Sequence, residues 1–486
     1  MKILLINSNR LHQPWPVIPF GLCCVAAALE KAGHNIKFTD LCFERHPANV
    51  IKKALTGFDP DLVGVGIRNL DTCVGTASQL VLDEIRTEIL RPLRQDYRGP
   101  VVLGGPALGI NAAEMLDYFD LEMAIQGDGE LAVVELAERL SKNQPLNGLK
   151  GLVLRQNGTI VEDNAPYRIA DLNTLPGPQL HRYINIKKYA RFDSPLQVQT
   201  KRGCALVCEY CSYRRIEGAA YRLKDPQRIA EEIEAIVKST GMRSIEFTDS
   251  TFNVPLDHAK AVLRAIIGRK LDVRLRTMGI NPVAIDDELV ELMAKAGMRE
   301  IDVGAESGST ITLEGLKKGY DREAVIRTGR LLQKHGIAAC WFLMLGGPNE
   351  SAETIRETFK TMDEAVDAWD LVGINVGIRV YKGSPLADKM QRDAPQGNSD
   401  HFLSPVYYEP AAISLKEIYN IARAEAARRP NSILFAEQNN PAWVLKFLVL
   451  LFKIFKIKRP LWHGLILMRR IEMATGIGFV KRLMRS

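Results

Sequence analysis

Short apolar runs separated by helix-length stretches recur along most of the chain. Residues 2–7, Lys-Ile-Leu-Leu-Ile-Asn, are apolar through the middle without alternation, the pattern of a strand covered on both faces. Similar runs fall at 35–40, 62–67, 101–104 and 123–126, with helical patterns between them such as 20–32, which stops at Gly33 as a helix C-cap does. Strands and helices in strict alternation predict an α/β unit at 1–144, a doubly wound parallel sheet of Rossmann-like type. Such sheets bind ligands at the carboxyl ends of their strands, so the informative loops are 7–21, 68–72, 104–109 and 127–130.

The pattern weakens over 145–191. Asn157-Gly158 between two short apolar runs predicts a hairpin, and Leu175-Pro176-Gly177-Pro178 a rigid connection, so this stretch reads as a linker. From 192 to 390 the alternation resumes with six strands, at 196–200, 244–248, 273–277, 300–305, 338–345 and 373–381. Helices at 226–240, 286–296 and 322–334 separate them, which predicts a parallel barrel with its active-site loops at the carboxyl ends of the strands. Residues 391–486 read as a helical C-terminal region. Within it, 443–457 is apolar except for Lys446, Lys453 and Lys456, which fall on one narrow helical face. No uninterrupted apolar stretch reaches a membrane-spanning length. Two readings of the tail stand: a helix packed on the barrel, or one lying in a membrane interface beside Trp462, Arg469 and Arg470.

Length and charge narrow the function. A chain of 486 residues with 46% hydrophobic and 25% charged content holds two or three globular domains. The net charge of +7 sits in the tail, where residues 446–486 carry ten Lys or Arg against the single acid Glu472. The remainder is near neutral, which excludes a general nucleic-acid binder. Eight cysteines are sparse, and the first residues read as a strand rather than a signal peptide, so a reducing, cytoplasmic setting is expected, at the membrane's inner face if the interfacial reading of the tail holds.

The chemistry concentrates in Lys201-Arg202-Gly203-Cys204-Ala205-Leu206-Val207-Cys208-Glu209-Tyr210-Cys211. Thiolates hold iron-sulfur clusters, and three of them on a four-iron cluster leave one iron open to a substrate. Zinc or plain structural thiols remain the alternative, although a zinc site ordinarily needs a fourth Cys or His close by. Cys340 lies inside a strand run and reads as core. In the first sheet, Gly104-Gly105-Pro106 permits close backbone approach to a ligand, and Gly127-Asp128-Gly129-Glu130 places acids at the start of a helix.

The C-x3-C-x2-C spacing with Tyr210 before the last cysteine resembles the signature of the radical S-adenosylmethionine enzymes. Pro19, Gly21 and Leu22, with the glycine loops of 1–144, resemble the cobalamin-binding domain that precedes the barrel in one branch of that family. The resemblance implies a six-unit (β/α)6 barrel, a 4Fe-4S cluster on Cys204, Cys208 and Cys211, and S-adenosylmethionine on the open iron. Thr248 and Asp249 stand where many members carry Gly-Gly-Glu, and Gly304-Ala305-Glu306-Ser307 resembles the family's Gly-x-Glu-Ser string. The implied cofactor contacts are therefore Tyr210, Thr248, Asp249, Glu306 and Ser307, with Arg276 able to pair with the cofactor carboxylate. For cobalamin they are Gly21, Arg68, Asn69, Gly104, Gly105, Gly127 and Glu130. The Asp-x-His-x-x-Gly string that supplies a lower cobalt ligand is missing, and His12, His34 and His46 stand in other contexts. The domain then either binds cobalamin without a histidine ligand or persists as scaffold.

The expected activity is methylation of an unactivated carbon in a small-molecule or lipid-like substrate, with reducing equivalents from a donor such as flavodoxin or ferredoxin. Oxidative cyclisation or rearrangement with the same cofactors is the nearest alternative, as in relatives of the anaerobic magnesium-protoporphyrin ester cyclase. A non-catalytic cobalamin or cluster sensor is a further one.

Overall fold

A computed structural model of the chain describes residues 1–13, 15–393, 402–437, 449–452, 454–455 and 459–475. The first unit is a seven-stranded sheet of β1 (Lys2–Asn7), β2 (Asn35–Asp40), β3 (Leu62–Gly66), β4 (Val101–Gly104), β5 (Met123–Ile125), β6 (Leu152–Gln156) and β7 (Thr159–Asp163), in the order β2-β1-β3-β4-β5-β6-β7. The first five strands are parallel. Alternation along β1 sends Leu4 and Ile6 into one apolar layer and Ile3 and Leu5 into the other, so all four are buried. Helices α1 (Phe20–Lys31), α2 (Pro47–Phe58), α3 (Leu108–Phe119) and α4 (Gly129–Ser141) cover the two faces.

The hairpin predicted within the linker forms, but it does not stand apart. β6 pairs antiparallel with β5, so the hairpin extends the first sheet. Edge pairing of β5 outweighs independence because an isolated hairpin is only marginally stable.

The second unit is an open barrel of parallel strands: β8 (Leu196–Val198), β9 (Ser244–Phe247), β10 (Arg274–Thr277), β11 (Glu300–Glu306), β12 (Ala338–Leu345), β13 (Leu371–Val376) and β14 (Ser432–Leu434). Single bridges at Leu275–Met298 and Ile280–Val303 join its two sheets. All six expected strands are present. The run 373–381 breaks at Gly377, whose φ of +89° ends β13 and starts the short strand Ile378–Arg379. β14 is an addition that no periodicity announced, since three residues are too few to show one.

Helices α5 (Tyr213–Ile216), α6 (Pro226–Thr240), α7 (Leu256–Gly268), α8 (Asp287–Lys295), α9 (Arg322–Lys334), α10 (Ala352–Ala365) and α11 (Leu415–Arg428) follow along the barrel. Outward residues Ile245, Phe247, Leu275, Val303, Trp341 and Leu343 share one core with residues of α6, α7, α8, α9 and α10. Cys340 is buried, as a core residue should be. Phe20, Cys23 and Cys24 of α1 enter the same core, so the first sheet and the barrel are joined by apolar packing.

Lys446, Lys453 and Lys456 of the tail lie outside the described residues. Helix α12 (Trp462–Thr475) is held on the barrel: Arg469 donates to the carbonyl of Ala426 at 3.0 Å, Arg470 to that of Ala368 at 2.6 Å, and Trp462 to that of Trp369 at 3.2 Å. Among the described residues no helix is long and apolar enough to cross a membrane.

Candidate active site between the sheet and the barrel mouth

The cysteine loop leaves the barrel just after β8. Residues Lys201–Arg202 pair antiparallel with Arg222–Leu223, and Gly203 turns the chain with φ +91°. A Cβ at Gly203 would stand 2.0 Å from the Ala220 carbonyl oxygen, so only glycine fits. The loop is pinned from both sides, by Cys204 N to Gly218 O at 3.0 Å and Glu209 N to Leu316 O at 3.0 Å. Cys204 and Cys208 are buried and Cys211 is half-buried.

Burial pushes the Cys211 thiol up to about 12; the Tyr213 amide opposes this, while Cys208 and Cys204 add to it. Burial also raises Cys208, partly offset by the charge of Lys318. An iron centre that binds thiolates reverses the cost of burying them. Among the described residues no three His, Cys, Asp or Glu side chains close around one metal-ion position. A cubane, each of whose irons takes one thiolate, accommodates that wider spread. Three sulfur donors on a glycine-turned loop therefore fit the cluster with one iron left open.

Glu306 ends β11 with φ +59°. Its Oε1 accepts from Tyr210 OH at 2.9 Å and from Lys318 Nζ at 3.1 Å, and Lys318 also donates to Tyr210 OH at 3.2 Å. Lys318 is buried, and neighbouring Tyr320 donates to the carbonyls of Gly304 and Ala305. Cys208, Tyr210, Glu306 and Lys318 thus converge at the barrel mouth. Lys318 was not foreseen, because Lys317-Lys318-Gly319 carries no spacing signal and only the fold brings it to Cys208.

Other expected contacts prove to be internal. Asp249 accepts from Thr200 N at 2.8 Å, Thr200 Oγ1 at 2.5 Å and Lys201 Nζ at 3.2 Å, all buried, so it braces the strand entering the cysteine loop and does not face the opening. Ser307 Oγ is fully buried against Thr358 Oγ1 at 2.8 Å. Thr248 is half-buried, with a long contact to the Val198 carbonyl at 3.4 Å. Arg276 points into the barrel, 3.0 Å from Glu246, 3.4 Å from Asp302 and 3.6 Å from Glu300. Trp15 from the first unit covers its guanidinium at 4.4 Å. Arg276 is therefore committed to three carboxylates.

Burial pushes Asp302 up to about 7, with Arg276 opposing and Glu246 and Glu300 adding. A carboxyl whose folded pKa exceeds its unfolded value binds its proton in the native state first. The stability it contributes is present at low pH and is lost as pH rises from about 4 to about 7. Asp302→Asn is expected to flatten that decline in a series of thermal melts between pH 5 and 8; an unchanged slope counts against the raised pKa.

In the first unit the order 2-1-3-4-5 places the topological switch between β1 and β3. A narrow crevice of about 20 Å³ lies there, lined by residues that include Ser8, Asn9, Arg10, Leu11, Arg68 and Asn69. Among the described residues Asn9 Nδ2 is buried there with no hydrogen-bond partner, as expected of a group that meets a ligand. Gly104 and Gly21 have open space where a Cβ would stand. Gly105 and Gly127 do not: a Cβ would meet the Ile67 carbonyl oxygen at 2.4 Å and that of Tyr167 at 2.3 Å, so both serve backbone packing.

Glu130 is buried and takes both arms of Arg202, one at 3.1 Å, while Arg202 also lies 3.2 Å from Asp128. Arg222 completes the clamp on Asp128. Burial raises Asp128, but Arg202 and Arg222 more than reverse this, and its pKa is lowered. The loop expected to hold a cofactor instead fastens the sheet to the residue two before Cys204. Of the three histidines, His12 meets the Cys42 carbonyl, His34 the chain terminus, and His46 precedes α2.

The comparisons fit this division. Residues 14–137 match the B12 binding domain model and 198–362 the Radical SAM superfamily model. The chain is 25% identical to a tryptophan 2-C-methyltransferase of Streptomyces laurentii, covering 80% of this chain and 74% of that protein. It is 24% identical to an anaerobic magnesium-protoporphyrin IX monomethyl ester cyclase of Rubrivivax gelatinosus, over 74% of this chain and 65% of that one. The structure of the radical S-adenosylmethionine methyltransferase TsrM from Kitasatospora setae, solved with cobalamin and a 4Fe-4S cluster, superposes with a TM-score of 0.81 at 23% identity, covering 96% of this chain and 99% of that one. A cysteine triad at the barrel mouth and two matching family models, which together span more than half of the chain, lead to one conclusion: the chain belongs to the cobalamin-binding radical S-adenosylmethionine enzymes, whose cofactors are a 4Fe-4S cluster, S-adenosylmethionine and cobalamin.

Proposed function

We propose that the enzyme transfers a methyl group to an unactivated carbon of a polar small molecule. The observation that carries this reading is the convergence of Cys208, Tyr210, Glu306 and Lys318 at the barrel mouth. When bound, the cofactors supply the methyl group and the radical that removes a substrate hydrogen. Cys204, Cys208 and Cys211 hold the cluster. Glu306 and Lys318, which pair with each other here, would open to take the ammonium and the carboxylate of the methionine end respectively, because charge-assisted bonds of opposite sign match both ends of an amino acid. Ser8, Asn9, Arg68, Asn69 and Gly104 would contact the cobalamin. The apolar packing of α1 into the barrel core holds the two units together and would fix the reacting groups near one another.

The barrel interior of Glu246, Arg276, Glu300 and Asp302 suits a polar substrate better than a lipid-like one. Because Arg469 and Arg470 grip the barrel, we read α12 as part of the enzyme body rather than a membrane contact. Reducing equivalents come from a small carrier protein such as flavodoxin or ferredoxin.

The test is anaerobic turnover with methyl-labelled S-adenosylmethionine on a panel of polar metabolites. Label in the product, with 5'-deoxyadenosine or S-adenosylhomocysteine released alongside, is the expected result. A product of altered ring or oxidation state without label would replace methyl transfer by the chemistry of the cyclase relatives.

A further inference from the structure

The cluster must be charged with an electron, and the chain has no obvious internal relay to it. Beyond the triad its cysteines are Cys23 and Cys24 on α1, Cys42, Cys73 and Cys340, which do not form a second cluster motif. The electron therefore enters from another molecule, at a surface close to the triad.

One surface has the required position and charge. Between the end of β5, the segment after β7 and helix α5, a cleft of about 450 Å³ opens, lined by Gln126, Asp163, Arg168, Arg214 and Arg215. Three guanidinium groups and one carboxylate line it; Asp163 is engaged by Gln126 Nε2 at 2.9 Å, and Arg168 also feels the charges of Asp128 and Glu217, which leaves Arg214 and Arg215 as the cleft's positive charge. Arg168 donates to the carbonyls of Tyr167 at 3.3 Å and Arg215 at 2.5 Å, and Arg215 to that of Gly109 at 3.1 Å. The carbonyl orients Arg215 without neutralising it. Among the described residues none of the three arginines forms an ion pair, although ion pairs are abundant elsewhere on the barrel. Arg214 is exposed and lies three residues beyond Cys211, the least buried of the three cysteines.

We propose that this cleft docks an acidic one-electron carrier protein, with Arg214 as the charge that draws it to the Cys211 side of the cluster. The proposal rests on the radical reading above. In the step the carrier is oxidised by one electron and the cluster reduced by one, with no bond made or broken and no proton moved. Positive charge at the docking face accelerates encounter with an anionic partner and is screened by salt, with a Debye length of about 10 Å at 0.1 M.

The test uses the reconstituted holoenzyme and follows bleaching of cluster absorbance in stopped flow. Reductants are flavodoxin hydroquinone, reduced ferredoxin and photoreduced 5-deazariboflavin, the last a small molecule that needs no docking face. Arg214→Glu is expected to slow reduction by at least one protein carrier about tenfold at low salt and to abolish its salt dependence. Arg214→Lys should retain the wild-type rate, and deazariboflavin should reduce all three proteins alike. Which carrier is affected identifies the class of partner. Unchanged rates with both carriers overturn the proposal, as does an Arg214→Glu protein that deazariboflavin also reduces slowly, since the arginine would then act on the cluster itself. A wild-type protein that takes no electron from any of the three would overturn the radical reading and this proposal with it.

Discussion

Cys208→Ala protein is expected to retain its fold, to take up little or no iron and sulfide on anaerobic reconstitution, and to release no 5'-deoxyadenosine above background. Cys208 is buried beside Lys318 and next but one to Tyr210, so its thiolate cannot be replaced by water without reorganising the loop. An alanine there leaves two thiolates for a cluster that already has one uncoordinated iron. The fold should survive because the loop is fixed by backbone bonds at Cys204 and Glu209 rather than by the Cys208 side chain. Iron and sulfide analysis with electron paramagnetic resonance checks the loss independently of turnover. A Cys208→Ala protein with a full cluster and wild-type cleavage would remove the triad from its assigned role.

Arg202→Gln is the second large effect, and it acts on folding and cluster loading together. The substitution leaves Glu130 buried without its charge partner and Asp128 with Arg222 alone. Breaking a buried pair from one side costs roughly 3–5 kcal/mol, which for a chain of this length lowers the melting midpoint by about 3–5 °C. The pH dependence has a definite sign. Asp128 has a depressed pKa, so the clamp's stability is present above the unfolded carboxylate value near 4 and is lost as pH falls through the lower folded value. Arg202→Gln should weaken that acid-side loss. The double variant Arg202→Gln/Glu130→Gln should recover part of the midpoint, because the orphaned carboxylate is removed. Calorimetry of apoprotein separates the folding effect from cluster content; a single variant that melts like wild type would show that the clamp contributes nothing.

Much of this architecture is written in local pattern. The apolar run at Ile3–Ile6 and its repeats needed only a count of periodicity to give a parallel sheet, and the cysteine spacing needed only the chemistry of thiolates. Tyr210 and Glu306 were legible as well, since each ends or adjoins a recognisable motif, and they do meet across the barrel mouth. Asp249 and Glu130 were equally conspicuous, yet one braces Thr200 and Lys201 while the other holds Arg202. A carboxylate at a strand end reads the same in sequence whether it awaits a ligand or an internal cation. The difference is which partner the fold delivers, and Arg202 is 72 residues from Glu130.

The sequence by itself determined the alternation of strands and helices, the three thiols, and the families they resemble, because these depend on neighbours along the chain. Tertiary structure alone decided which strand-end groups face the opening. It brought Lys318 to Cys208, turned Arg276 onto three carboxylates under Trp15, attached the hairpin of β6 and β7 to the first sheet, and fastened that sheet to the loop of Cys204. The physical reason is the same in each case: a buried charge must find its counter-charge in space, and that choice is made only when distant segments pack.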